Sequence, residues 1–233
     1  MNYQKTTTLV AAALITLIFQ PSCSRWFTYN CTLGSGASIK GSGIKATRTV
    51  TDLAYFDTVS VTGKFTINFV QGEKNRALLE GDDNIIALAT ITQTGSQLRV
   101  DFGNQSISTK IPLVLTITTP MLKQVTSSGA VVLTNTSPAQ LSDLSITSSG
   151  SSTIKLNGSA ESLTVRSSGS STIDTEHLKA KAVTIDASGS TQATVYASEK
   201  LAVSISGAGN VRYSGNPQDI HQEISGIGSV RRI

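Results

Sequence analysis

The chain has 233 residues, of which 15% are charged and 5% aromatic, with 19 glycines and a formal net charge of +4. That is length enough for one sizeable domain or two small ones, and because all six phenylalanines lie at or before Phe102, the second half has only Val, Ile, Leu, Ala and small polar groups to fill a narrow interior. The cations Lys64, Lys74, Arg99, Lys123, Lys155 and Arg166 are scattered and not interleaved with aromatics, which sets nucleic acid aside as a partner.

Residues 1–23 read as an export signal, with Lys5 as a positive n-region and an apolar stretch from Leu9 to Phe19 too short to span a bilayer comfortably. Two processing routes are open. Ser22 and Ser24 fit a small-x-small cleavage site, and Cys23 stands where a lipoprotein would carry its lipid, although Gln20 fills the position three before it, where such signals prefer an aliphatic residue. The other cysteine, Cys31, is eight residues on, so the two could bridge if neither is modified, and the fold depends on neither.

Residues 24–45, with Gly34-Ser35-Gly36 and Gly41-Ser42-Gly43, have the composition of a flexible linker, and order is expected to begin near Thr47. From there Val59, Val61, Phe65, Ile67 and Phe69 alternate with polar residues around Gly63, the period of half-buried strands. Further strands are separated by turn signals at Gln71-Gly72, Gly81-Asp82-Asp83-Asn84, Thr94-Gly95 and Gly103-Asn104. Asn84 to Ala89 could form one helical turn. The spacing of apolar residues around Gly63 and Gly95 makes residues 46–126 an irregular version of the second half of the chain.

Residues 127–233 repeat one unit of about 20 residues. Its anchors are Ser128-Gly129, Ser149-Gly150, Ser168-Gly169, Ser188-Gly189, Ser206-Gly207 and Ser225-Gly226, with glycines 21, 19, 20, 18 and 19 residues apart. So short a period points to stacked repeats. Apolar positions switch parity within each unit, as at Thr175 to Leu178 and Ala180 to Val183, and each switch marks a corner. A circuit of about 66 Å at roughly 3.3 Å per residue divides into three short faces. The expected fold is an all-β, parallel, three-sided β-helix or solenoid, with residues 46–233 as one domain. Ile146, Val165, Ile185 and Val203 should form one interior column, and Ile154, Ile173, Ala193 and Val211 another.

The anchor serines read as structural, since the only histidines, His177 and His221, lie at dissimilar offsets in different units and a serine nucleophile needs an adjacent base. Gly207-Ala208-Gly209 and Gly226-Ile227-Gly228 open no helix, so they are not phosphate cradles. Asp143, Asp174, Asp186 and Asp219 fall at different offsets, which favours a solvated surface over a paired-carboxylate site. Asp82-Asp83 is expected to be a turn, Glu176 and His177 to point to opposite faces, and Tyr196 and Tyr213 to be surface or end-cap aromatics. No catalytic residue, metal ligand or cofactor is expected.

The run Tyr55-Phe56-Asp57-Thr58-Val59-Ser60-Val61-Thr62-Gly63-Lys64-Phe65, then Val70-Gln71-Gly72, the Ser-Gly units and the ending Ser225-Gly226-Ile227-Gly228-Ser229-Val230-Arg231-Arg232-Ile233 together resemble the DUF2807 head GIN family, described as putative auto-transporter adhesins. The likeness covers about residues 44–233. It implies an exported, non-enzymatic β-helical protein of bacterial envelopes, either an outer-membrane lipoprotein or periplasmic or at the cell surface, and it supplies no catalytic residues. Many relatives continue each anchor as Ser-Gly-Ser-Gly-Asp, where this chain has Ser151-Ser152-Thr153 and Ser170-Ser171-Thr172, thinning that acidic ladder. The expected partner is a surface, glycan or protein ligand, with the membrane reached only through an N-terminal lipid anchor and homo-oligomers open. The alternative is a carbohydrate-binding or carbohydrate-active protein, which would show three or more carboxylate, lysine or tyrosine side chains converging in one groove.

Overall fold

From Ile39 onward the period-two pattern becomes strand almost throughout, and the chain is all-β. The computed structural model describes residues 38–233; the export segment 1–23, Cys23, Cys31 and the linker as far as residue 37 lie outside the described residues. In chain order the elements are β1 (Ile39–Lys40), β2 (Lys45–Val50), β3 (Thr58–Gln71), β4 (Arg76–Asp82) and the helical turn α1 (Asp83–Ile86). Then come β5 (Thr90–Thr94), β6 (Gln97–Asp101), β7 (Ile107–Ser108), β8 (Val114–Thr119), β9 (Gln124–Asn135), β10 (Ala139–Lys155), β11 (Gly158–Ser214) and β12 (Asp219–Arg232). One large sheet runs in the order β12-β11-β10-β9-β3-β8-β4-β2, with no further strand beyond β12 or β2 among the described residues.

The Ser-Gly units pair with one another in parallel and in register. Gly129 of β9 lies beside Gly150 of β10, Gly150 beside Gly169 of β11, and Gly207 beside Gly226 of β12. Stretched straight, the 57 residues of β11 would reach about 190 Å; instead its own glycines Gly169, Gly189 and Gly207 come into van der Waals contact. The glycine is obligatory for two reasons. Gly129 has φ 118°, a region L side chains avoid, and a Cβ there would sit 2.5 Å from the Gly63 carbonyl oxygen. The same collision recurs at each later anchor against the glycine one circuit earlier.

Burial follows the expected parity. In the circuit from Gly169 to Gly189 the inward positions are Ser171, Ile173 and Thr175, then Leu178 and Ala180, then Val183, Ile185 and Ala187, all buried. Between these groups the parity breaks at 176–177 and 181–182, where Glu176 and Ala182 are half-buried and His177 and Lys181 exposed, and the anchor at 168–170 ahead of them is exposed. Both proposed interior columns are buried, with Ile146 beside Val165 and Ile154 beside Ile173.

The order of stacking in the first half is not the order of sequence. Gly63 pairs with Gly129, across 66 residues, through the parallel ladder of β3 and β9. Gly95 does not continue this column, contrary to the reading of residues 46–126 as successive circuits: it turns the antiparallel β5–β6 hairpin with φ 58°. The free side of β3 is covered instead by two separate strands, β6 along Thr58–Val61 and β8 along Thr66–Gln71. Antiparallel β4 and β2 follow beyond β8. Phe56, Phe65 and Phe69 are fully buried here, and Phe65 stacks on Phe102 at 5.7 Å between ring centroids.

Residues 38–45 are not the free tether their composition suggests. β1 pairs with β7, and the Gly41-Ser42-Gly43 turn is tied to the buried carboxylate of Asp82, which accepts the backbone N–H groups of Gly43 (2.7 Å), Lys110 (2.9 Å) and Ile111 (3.0 Å). Glycine's backbone freedom is used here for a turn around an anion, not for flexibility.

Candidate binding surface

The outward residues form ladders, because each circuit repeats the same positions one strand spacing, about 4.8 Å, further on. On the face after the anchor glycines, Thr153, Thr172, Gln192, Asn210 and Ser229 make one ladder and Lys155, Asp174, Thr194, Arg212 and Arg231 the next. Adjacent members are register partners: Thr153 with Thr172, Lys155 with Asp174, Asn210 with Ser229, Arg212 with Arg231. Towards β12 the two ladders flank a groove of about 490 Å³ floored by Ile173, Ala193 and Val211. Ser229 donates to Asn210 Oδ1 at 3.0 Å. Arg212 and Arg231 are both exposed, and neither enters an ion pair among the described residues. The groove therefore offers two neighbouring guanidinium forks, amides and hydroxyls on one flat support.

The face before the glycines carries the anchor serines. Ser128, Ser149, Ser168, Ser188, Ser206 and Ser225 all point outward and are exposed; with Thr147, Arg166, Asp186 and Ser204 several of them line a shallower depression of about 390 Å³. The hydroxyls that pack inside the corner are different ones. Ser127, Ser148 and Ser167 lie two residues before the glycine and Ser152, Ser171 and Thr191 two after it, all buried. Ser152 donates to Ser171 at 3.2 Å, and the Ser167 and Ser171 hydroxyls are in contact. Ser148 Oγ and Thr191 Oγ1 are buried without a hydrogen-bond partner. The sequence signal for this inner ladder was the doubled serine on either side of Gly150 and Gly169, whose two members face opposite ways on a strand.

The carboxylates singled out from sequence are dispersed. Asp143 accepts from Ser162 at 2.6 Å, Asp186 pairs with Arg166 at 3.3 Å, and Asp219 pairs with Lys200 at 3.1 Å; only Asp174 enters the groove. Glu176 and His177 do not point to opposite faces as expected, because a corner intervenes: buried Thr175 and Leu178 bracket them and both face outward. Lys179 Nζ stands 4.0 Å over the Tyr196 ring, a cation–π contact, whereas Tyr213 is buried beneath the last circuit. Asp82-Asp83 is not the expected turn: Asp82 ends β4 and Asp83 begins α1 directly, and the Asp82 carboxylate is taken up by N–H donors.

The perturbed titrations lie mainly in the first half and have structural causes. Burial pushes the Asp82 carboxyl up, but its three backbone donors and nearby Lys110 more than offset this and hold it below the usual carboxylate range. Asp57 is likewise pushed up by burial and pulled down further by hydrogen bonds from Lys123, Ser96 and Thr58; Lys123, 3.0 Å away, is raised in return. Arg99 and the Gly103 N–H lower Asp101. On the repeat face the Glu161 partner raises Lys181. Among the described residues no three His, Cys, Asp or Glu side chains gather in a metal-binding group, and no helix is long and apolar enough to cross a membrane.

The fold recurs in solved structures. A putative adhesin from Bacteroides fragilis superposes with TM-score 0.68 at 21% identity, covering 84% of this chain and all of that one. A putative lipid binding protein from Parabacteroides distasonis gives 0.55 at 17% identity over the same shares, and a putative adhesin from Parabacteroides merdae gives 0.51 at 20% identity over 85% of this chain and all of that one. At such identities the likeness is one of fold. None of the curated proteins matches the chain. The family model for DUF2807, described as putative auto-transporter adhesin, head GIN domain, matches residues 55–217, from the strand that opens the glycine column to the chain just before β12, and the chain belongs to that family.

Proposed function

We propose that the protein is a non-enzymatic, exported cell-envelope module whose stacked circuits form a three-sided parallel β-helix and whose outer ladders bind a surface, as an adhesin does. The single observation that carries this is the groove beside Arg212 and Arg231. A contact surface needs polar groups held at fixed separations, because ordering long side chains on binding costs about 0.5–1.5 kcal/mol each. Ladders one strand apart supply that order in advance. Paired guanidinium groups suit carboxylate or sulfate, bidentately, and amide and hydroxyl ladders suit sugar hydroxyls, so an acidic glycan is the ligand class best matched. The regular parity breaks and positive-φ corners support the β-helix reading. The family description supports a surface location.

Carbohydrate chemistry is the less favoured alternative. Glycosidases use two carboxylates flanking the scissile bond, and Asp174 is the single carboxylate lining the groove. A lipid ligand, the description of one structural neighbour, would call for an apolar pocket in place of these ladders. Screening the purified chain on a glycan array tests the reading: acidic glycans should be retained, and Arg212→Ala with Arg231→Ala should abolish retention. Silence across the array would overturn it in favour of a purely structural module. Mass spectrometry of the mature N-terminus tests export and distinguishes a lipid on Cys23 from cleavage near Ser22 or Ser24.

A further inference from the structure

The last circuit differs from every other in what it leaves uncovered. β12 pairs along its length with β11, and its opposite edge has no strand partner among the described residues. Long open edges of this kind are templates for pairing with another chain. The interior columns also end here in the open: buried Leu201 is followed by Ile220 at 41% exposure, and buried Ile205 by Ile224 at 36%. β12 has no proline, and of its charged residues one, Arg232, holds an inward position, as the register partner of buried Tyr213.

Charge along β12 is divided. Asp219 and Glu223 lie before the corner glycine Gly226, and Arg231 and Arg232 lie after it. An antiparallel copy of the same strand, related by a twofold axis through Gly226, would place each acidic arm against a basic one. In that register inward positions meet inward positions, as stacking requires: Gln222 falls opposite Val230, and Ile220 opposite Arg232, whose aliphatic stem can cover it while the guanidinium reaches solvent. Ile224 faces the partner copy's glycine at position 228, the same large-against-none pairing that Ile205 and Gly209 make within one circuit, where a Cβ on Gly209 would come within 3.0 Å of Ile205. On the outer surface Arg231 falls opposite His221 with Asp219 and Glu223 diagonally on either side, within reach for cross-strand ion pairs.

We propose that the open edge of β12 is an isologous interface, at which two copies of this chain stack end to end about a dyad at Gly226. A closed twofold contact satisfies both edges at once and cannot propagate into a fibre through the same surface. Such a dimer would carry a binding groove on each side of the junction, joined through the last circuits.

Sedimentation of the full chain, in reducing buffer so that Cys23 and Cys31 cannot link copies, tests this over a range of concentration. The expected result is a monomer–dimer equilibrium. Arg231→Glu with Arg232→Glu makes both arms acidic, and Asp219→Lys with Glu223→Lys makes both basic; each set should weaken self-association by on the order of tenfold or more. Mixing the two should restore a dimer containing one copy of each. These are exposed side chains, and a retained far-ultraviolet circular dichroism spectrum with a cooperative melt establishes that both variants fold, the melt itself falling by what the lost association contributed. A chain that stays monomeric at about 100 μM, a concentration at which even a weak specific pair associates, would overturn the proposal. So would association that neither set changes, or a mixture that fails to re-form the pair.

Discussion

At the scale of single residues, two kinds of glycine and one carboxylate govern what the chain tolerates. Gly169 has φ 131° and a carbonyl oxygen of Gly150 where its Cβ would go, whereas Gly95 has φ 58° and open space around it. Gly169→Ala should therefore cost about 3 kcal/mol or more, from backbone strain plus a collision that rigid backbone cannot relieve. Gly95→Ala should cost about 1 kcal/mol, the left-handed penalty alone. Urea midpoints for the two variants check the difference, and equal midpoints would mean that the column is not closely stacked.

Asp82 sets an acid limit. Its folded pKa is depressed, as are those of Asp57 and Asp101, so their contribution is complete above the unfolded value of about 3.9 and is lost as pH falls through the lower folded values. Acid should loosen the first half before the repeat. Asp82→Asn turns an amide N–H₂ towards the donors of Lys110 and Ile111, so it should lose stability at neutral pH and flatten the acid dependence. Hydrogen exchange at the amides of Gly43, Lys110 and Ile111 between about pH 2 and pH 5, a window that spans the unfolded carboxylate value and the range below it, reads both effects.

At the scale of elements, volume is traded across each corner. The inward positions two before and two after the glycine are Ser148 with Ser152, Ser167 with Ser171, Ala187 with Thr191, and Ile205 with Gly209, all buried. A small residue on one side admits a larger one on the other, which is how a thin core keeps interior density. The structure thus gives Gly209 a role distinct from the corner glycine Gly207: it makes room for Ile205. Gly209→Thr alone should be destabilising by about 1–3 kcal/mol through overpacking, and Ile205→Ala alone by about 2–4 kcal/mol through a cavity. Together they recreate the Ala187–Thr191 pairing, so the double variant should recover at least about 1 kcal/mol relative to the sum. Strict additivity in denaturation midpoints would refute the trade.

At the scale of the whole molecule, the two ends are built differently. The first half ends the stack with aromatics, the β5–β6 hairpin and antiparallel β4 and β2, while β12 ends it with an open edge and exposed isoleucines. Stability in stacked repeats comes from neighbouring units covering each other's interior, so the circuit at β12, covered on one side, should exchange its amides fastest of the repeat unless a second copy covers it. The groove beside Arg212 and Arg231 lies against this same end, so under the proposed function a ligand held there would sense the state of the edge.

Much of this architecture was legible residue by residue. The Ser-Gly period of 18 to 21 residues marked which segments pair in parallel and in register, and parity switches marked the breaks in burial at 176–177 and 181–182 and the inward columns of Ile146 and Ile154, because sterics and side-chain alternation are local properties that a strand writes into its own sequence. The pairing of Gly63 with Gly129, the separate strands β6 and β8 along β3, the gathering of Gly43, Lys110 and Ile111 around Asp82, and the meeting of Arg212 with Arg231 beside an open groove were not legible in that way. They join residues whose local patterns are ordinary, and which edge a distant segment closes on depends on loop closure and on the volume and charge it meets there, quantities that exist once the chain has folded back upon itself.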